Sequence, residues 1–188
     1  MGLELIEKQV VYPGKKVRFE IHHLQDDDGN PHLREICVHN GAVVVLAWLN
    51  DQSILVIRNR RYSIGQVLLE LPAGTLEKNE DPINCAGREL LEETGYLATR
   101  IVPITNFFTS PGVLTEKMYA FAAYDLERRS QALEAGEEIE VSPMRFDDAV
   151  EMCRTGQIVD GKTIATLLYF ERFCRQPDGR AAMSAGDQ

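Results

Sequence analysis

"GTLEKNEDPINCAGRELLEETGY", residues 74–96, joins a loop to an amphipathic helix and sets Glu80, Glu89, Glu92 and Glu93 between two glycines, with only Lys78 and Arg88 to balance them. The helix limits follow from local chemistry. Asp81 can cap the free amides of a first turn, Pro82 sits where a first-turn proline loses no hydrogen bond, and Gly95 suits the left-handed residue beyond the end. The spacing predicts a helix over 82–94. At about 100° per residue, Glu93 lies about 40° to one side of Glu89 and Glu92 about 60° to the other, so three carboxylates share one face. Ile83, Leu90 and Leu91 serve the buried side. Gly87, in the interior, sacrifices up to about 1 kcal/mol of helix propensity relative to Ala.

That face is locally unfavourable. Like charges at i,i+4 repel, and anions toward a helix C-terminus oppose the macrodipole; Arg88 relieves part of the strain by pairing with Glu92 at i,i+4. Two readings compete. One is a solvated acidic face. The other is a site for hard divalent cations, since Mg²⁺ prefers oxygen ligands and retains waters that a substrate phosphate can replace.

The complete spacing separates them. Gly74, five residues, Glu80, seven residues, then Arg88-Glu89-Leu90-Leu91-Glu92-Glu93-Thr94-Gly95-Tyr96 resembles the Nudix box, GX5EX7REUXEEXGU, where U is a bulky apolar residue. Its seven specified residues, at usage of about 6% each, would match by chance in roughly one window in 10⁸. Tyr96, where an aliphatic is more usual, is the one mild departure. The resemblance to Nudix hydrolases implies an α/β/α sandwich with a mixed sheet, and hydrolysis of a nucleoside diphosphate linked to another moiety. It also implies two or three Mg²⁺ ions, with Mn²⁺ as a substitute. Carried onto this chain, it makes Glu89 and Glu93 the principal metal ligands, Glu92 a further ligand or catalytic partner, and Ala73 a ligand through its carbonyl. Glu80 and Arg88 orient them.

A carboxylate beyond the helix is still needed, to take the proton of the attacking water or complete a metal site. "LEAGEEIEV" offers Glu134, Glu137 and Glu138 before a predicted strand. An acidic surface loop would account for such a cluster equally well. Similar ADP-ribose hydrolases carry a mobile glutamate loop there, so the resemblance implies Glu137 as a metal ligand and Glu134 or Glu138 as the base.

Substrate class must come from outside the box. Pro111, sixteen positions after Gly95 in "FFTSPGVLTEK", resembles the marker of the ADP-ribose pyrophosphatase branch, although a Pro-Gly pair is ordinarily a turn. Ser110 precedes it, and Glu116 matches an acidic residue that this branch uses around its substrate. "IRNRRYSIGQVLLELPAG" is similar to the branch's arginine-containing segment: Arg58 and Arg61 match its basic positions, while Asn59 and Arg60 replace the usual glutamine and aromatic. Arginine's planar fork suits phosphate oxygens. These features favour ADP-ribose, split to AMP and ribose 5-phosphate. GDP-mannose or another nucleotide sugar is the alternative because of the departures at Asn59 and Arg60. A non-catalytic ADP-ribose-binding module would be expected to show a degraded box or an added DNA-binding domain, and the box is intact.

Bulk composition agrees with this reading. The 188 residues suffice for one good core, and 20 basic against 29 acidic residues leave a net charge of −9. That balance disfavours a general nucleic-acid or anionic-membrane surface. Cys37, Cys85, Cys153 and Cys174 form no metal-binding pattern and read as free thiols of a cytoplasmic protein. The longest apolar run, "GAVVVLAWL", is too short to span a bilayer.

Elsewhere, "KKVRFEIHHLQ" and "LREICV" read as a hairpin around "DDDGNPH", and "GAVVVLAWL" with "SILVIRN" as a second hairpin whose first strand is buried on both faces. "RIVPITNFF", "KMYAFAAYDL" and "EIEVSPM" are further strands. Two closing helices are "FDDAVEMCRTG", ended by Gly156, and "KTIATLLYFERFC", with Ile164, Leu167, Leu168 and Phe173 as its apolar stripe. The predicted organisation is an N-terminal β segment over 1–40, a catalytic domain over 41–174 and a mobile tail over 175–188. The segment is too small for a secure core of its own. The resemblance implies a homodimer in which that segment packs across the partner.

Overall fold

The computed structural model describes residues 2–175. The tail expected over 175–188 therefore lies outside the described residues, Arg175 apart. Contacts divide the chain into two units, Met1–Gly41 with Phe107–Lys117, and Ala42–Asn106 with Met118–Gln188.

The first unit carries an antiparallel sheet of order β1-β2-β3, built from β1 (Leu3–Pro13), β2 (Val17–Asp26) and β3 (Pro31–His39). β2 and β3 form the expected hairpin, in register from Val17 opposite His39 to Gln25 opposite Pro31. Asp26 closes its turn by accepting from the amides of Asp28 and Asn30. The alternation of the sequence does not reveal β1. Its pairing with β2 shifts register between Leu5 and Glu7 and between Val10 and Tyr12, and each bulge resets the two-residue period. Segment 107–117 joins this unit through Cys37 N to Val113 O at 2.7 Å and Thr115 N to Cys37 O at 3.0 Å.

The second unit contains β4 (Ala42–Ala47), β5 (Ser53–Arg61), β6 (Gln66–Glu70), β7 (Ala73–Thr75), α1 (Pro82–Thr94), and most of β8 (Tyr96–Phe108) and β9 (Lys117–Arg128). β10 (Ile139–Arg145), α2 (Phe146–Arg154) and α3 (Gly161–Phe173) complete it. A mixed sheet runs β7-β4-β9-β8, with β4 antiparallel to β7 and parallel to β9; a second sheet runs β10-β5-β6. β4 is buried on both faces. Val43, Val45 and Ala47 join Cys85, Ala86 and Leu90 of α1 in one core, while α3 packs on β4 and supports α2. Full burial of Leu90 alone contributes about 1.5–3 kcal/mol.

Three expectations need correcting. β4 and β5 are not a hairpin: only an isolated bridge, Trp48 to Ile54, joins them, and the chain changes sheets at residues 50–52. Asn50 Oδ1 accepts the amides of Gln52 and Ser53, a side-chain turn that redirects the strand. On α3 the buried stripe is Thr163, Thr166, Leu167 and Phe170, and Leu168 and Phe173 are exposed. Thr163 and Thr166 are buried because their hydroxyls bond Asp160 and the Lys162 carbonyl, so hydropathy mislocates the face. Ile83 likewise lies outside the core, and Cys85 and Ala86 pack there instead.

Candidate active site

The local chemistry that frames α1 is visible atom by atom. Asp81 accepts from Ile83 N at 3.0 Å, Pro82 opens the helix, and Gly95 ends it at φ 72° with its amide on Leu91 O. Arg88 is the hub of the acidic face. Its guanidinium forks onto Glu80, Nε to Oε1 at 2.9 Å and Nη2 to Oε2 at 3.0 Å. Nη1 also reaches Glu89 at 2.8 Å and Glu92 at 2.9 Å. Glu80 is thereby held down to a pKa of about 2, and the surrounding carboxylates, Glu80 foremost, raise the pKa of Arg88.

Glu93 is 3% exposed and accepts from Ala73 N at 2.8 Å. Burial pushes its carboxyl up to about 8, and the charges of Glu89 and Glu137 add to the rise. Glu89 is raised for the same principal reason, partly offset by Arg88 and increased by Glu92 and Glu137. Glu89 lies against the backbone of Gly74, in the space that a Cβ there would fill. A Cβ at 74 would force the Glu89 carboxyl group to another position.

Among the described residues, no group of three or more His, Cys, Asp or Glu side chains is arranged to hold a metal ion. Arg88 occupies one oxygen each of Glu89 and Glu92, and Glu93 folds onto the Ala73 amide. The donor set nevertheless fits a hard divalent cation. It is all oxygen, largely desolvated and mutually repulsive, and Arg88 is the single guanidinium shared by Glu80, Glu89 and Glu92.

The glutamate loop is not uniform. Glu137 Oε2 accepts from Glu134 N at 2.9 Å, and the charge of Glu137 reaches Glu89 and Glu93. Glu138 accepts from the Tyr62 hydroxyl at 2.8 Å and faces Arg60. At the base of the loop, Gln131 Nε2 donates to Glu93 O at 2.6 Å.

The two predicted arginines part company. Residues 57–61 pair with β6 without a bulge, so strand alternation puts Arg58 and Arg61 on opposite faces. Arg58 shares the exposed face with Arg60, beside Glu138 and Glu140, in an open cleft of about 410 Å³. Arg61 turns inward and forks onto Glu70, a fully buried carboxylate that also binds Lys162. Glu93 lies within its electrostatic reach. Sequence reasoning did not single out Glu70 and Lys162, although Glu70 stands in the quoted "ELPAG"; nothing local indicates that Lys162, 92 positions on, is its partner. In the first unit, Glu116 accepts from the Thr109 hydroxyl at 2.7 Å and faces His39 at 3.6 Å. The Ser110 carbonyl receives the amides of Val113 and Leu114 across the Pro111 turn.

The NUDIX domain model matches residues 38–167. This chain belongs to the Nudix family. The Nudix chain is 34% identical over 168 residues to the ADP-ribose pyrophosphatase of Bacillus subtilis (strain 168), covering 88% of this chain and 91% of that protein. It is 32% identical, with the same coverage, to the methanol dehydrogenase activator of Bacillus methanolicus. The GDP-mannose pyrophosphatase of Salmonella paratyphi B is 36% identical over 152 residues, or 74% of this chain and 78% of that one. A crystal structure of an ADP compounds hydrolase superposes with a TM-score of 0.81 at 18% identity, covering 92% and 94% of the two chains, and supports the Nudix fold. Nudix proteins typically use divalent metal ions. Among the described residues, no helix is long and apolar enough to cross a membrane.

Proposed function

We propose that this Nudix protein hydrolyses the pyrophosphate bond of a nucleoside diphosphate sugar, with ADP-ribose as its leading substrate. Water adds across one P–O–P bond, which breaks to leave AMP and ribose 5-phosphate. The observation that carries the reading is the complete box, with Arg88 tied to Glu80 and Glu89 seated on Gly74. The B. subtilis relative, matched along nearly its whole length, supports ADP-ribose.

Glu89 and Glu93 would be the principal ligands of Mg²⁺ or Mn²⁺, two or three ions in all, joined by Glu92, Glu137 and the Ala73 carbonyl. Such cations, when bound, would neutralise the pyrophosphate and lower the pKa of the attacking water. Glu80 and Arg88 orient the ligands. To hold a cation, Glu89 and Glu92 would give up their bonds to Arg88. A carboxylate oxygen of Glu134 or Glu138 accepts the proton of the attacking water. Arg58 contacts the substrate, while Arg61 holds Glu70; Ser110, Pro111 and Glu116 are the substrate residues that likeness to the ADP-ribose branch suggests in the first unit. The enzyme works as a cytoplasmic homodimer through its N-terminal β segment over 1–40, and without nucleic-acid or membrane partners.

GDP-mannose is the second reading, supported by the Salmonella relative and by Asn59 and Arg60. The test is a hydrolysis screen of ADP-ribose, GDP-mannose, UDP-glucose, NADH and diadenosine polyphosphates with Mg²⁺ and with Mn²⁺. ADP-ribose should give the highest kcat/KM. Equal or better turnover of another compound displaces it, and no turnover of any would reinstate a binding module.

A further inference from the structure

Gly95 ends the last turn of α1, which presents Glu92 and Glu93, with its amide on Leu91 O, and the carbonyls beyond Leu91 take partners from outside the helix. Segment 129–132 supplies them. Ala132 N donates to Glu92 O at 2.9 Å and Arg129 N to Gly95 O at 2.6 Å, while the Gln131 side chain takes Glu93 O at 2.6 Å. The same Gln131 nitrogen lies 3.5 Å from Ile139 O, at the start of β10. An amide group has two N–H donors, so one side chain links the helix end to both ends of the loop over 132–138. Gly95 makes the approach possible. A Cβ there would meet Gln131 N at 2.9 Å, Arg129 O at 3.1 Å and the Ser130 carbonyl carbon at 3.2 Å. The last glycine of the box thus admits a neighbouring backbone as well as ending the helix at φ 72°.

We propose that Gln131 is a positioning residue, a clamp that fixes the base of the glutamate loop to the C-terminal turn of α1 and so sets Glu137 against Glu89 and Glu93. Inside the loop, Glu134 and Glu137 brace one another through Glu137 N to Glu134 O and Glu134 N to Glu137 Oε2. The loop is therefore a small braced unit, held at its base by the Gln131 side chain and the Ala132 amide and at Glu138 by the Arg60 amide and the Tyr62 hydroxyl. Loosening the Gln131 bridge lets Glu137 move as a unit without unfolding the core. The proposal rests on the hydrolase reading only where it assigns Glu137 a role in turnover.

Gln131→Met keeps the length of the side chain and removes both donors. In the metal-free protein, amides of residues 133–138 should exchange hydrogen about tenfold faster, with β4 and β9 unchanged. With substrate and saturating Mg²⁺, kcat should fall about tenfold at an unchanged KM. Gln131→Met combined with Glu137→Gln should be no slower than Glu137→Gln alone, because the glutamine acts through Glu137. Unchanged loop exchange overturns the clamp, as does equal acceleration in loop and core or an additive double variant. If Glu137→Gln alone turns over normally, the role of Glu137 in hydrolysis falls, and exchange alone decides the clamp.

Discussion

The carboxylate of Glu89 rests on the α-carbon of Gly74, in the volume that any other residue's Cβ would take. A loop glycine and a helix glutamate, fifteen positions apart, are thus one feature. Gly74→Ala should cost about 1–3 kcal/mol through overpacking. Turnover should fall more than stability, by about 10²-fold, because a displaced ligand misplaces the reaction. Thermal unfolding and kcat measured side by side check the split; a proportionate loss of both would mean that the contact serves packing alone.

Arg88 shares one guanidinium among Glu80, Glu89 and Glu92. Arg88→Met should destabilise the metal-free protein by about 2–3 kcal/mol, the value of charged hydrogen bonds lost. Millimolar Mg²⁺ should restore more stability to this variant than to wild type, since cations then answer carboxylates that have no guanidinium. Urea unfolding with and without Mg²⁺ provides the comparison, and equal Mg²⁺ effects would contradict the exchange proposed for Glu89 and Glu92.

Glu80 titrates at about 2 in the folded chain, lowered from 4.5 chiefly by Arg88. A lowered folded pKa stabilises fully above the unfolded value and is lost as pH falls through the folded one. The stability gap between wild type and Glu80→Gln should therefore be constant above about pH 5 and close between about pH 4.5 and 2. Denaturant midpoints at a series of pH values read this directly. A gap that persists undiminished to pH 2 would show that the ionised pair is not its source.

Glu93→Gln keeps the shape of the side chain and its bond to Ala73 N while removing the charge. Turnover with Mg²⁺ should drop by at least about 10²-fold with the melting temperature retained or raised, because burial opposes the ionised form of Glu93 and Gln carries no such cost. Near-normal activity would defeat the metal role of Glu93.

Arg58 and Arg61 should behave as their faces dictate. Arg61→Ala leaves buried Glu70 with Lys162 as its remaining cation and should cost about 3 kcal/mol. Arg58→Ala, on the exposed face, should change stability by no more than about 0.5 kcal/mol, so a raised KM in that variant reports substrate contact. Calorimetry with steady-state kinetics on both variants settles the assignment. Equal destabilisation would refute the opposite-face account.

Legibility followed the range of the interactions. The α1 limits were readable because Asp81, Pro82 and Gly95 act on neighbours within one turn. The hairpin of β2 and β3 was readable because Asp26 and Gly29 shape their own turn. β1 was hidden by two bulges that cancel its period. The sheet change after β4 was hidden because apolar runs carry no mark of their partner. The box spacing by itself determined the family, the acidic helix face and the need for a positive counter-charge. Only the tertiary structure decided that Arg61 pairs with Glu70, that Glu138 takes the Tyr62 hydroxyl, and that Gln131 bonds the last turn of α1. Those outcomes depend on which side chains meet across long loops, where pairing and burial, rather than residue type, set each group's partner and charge.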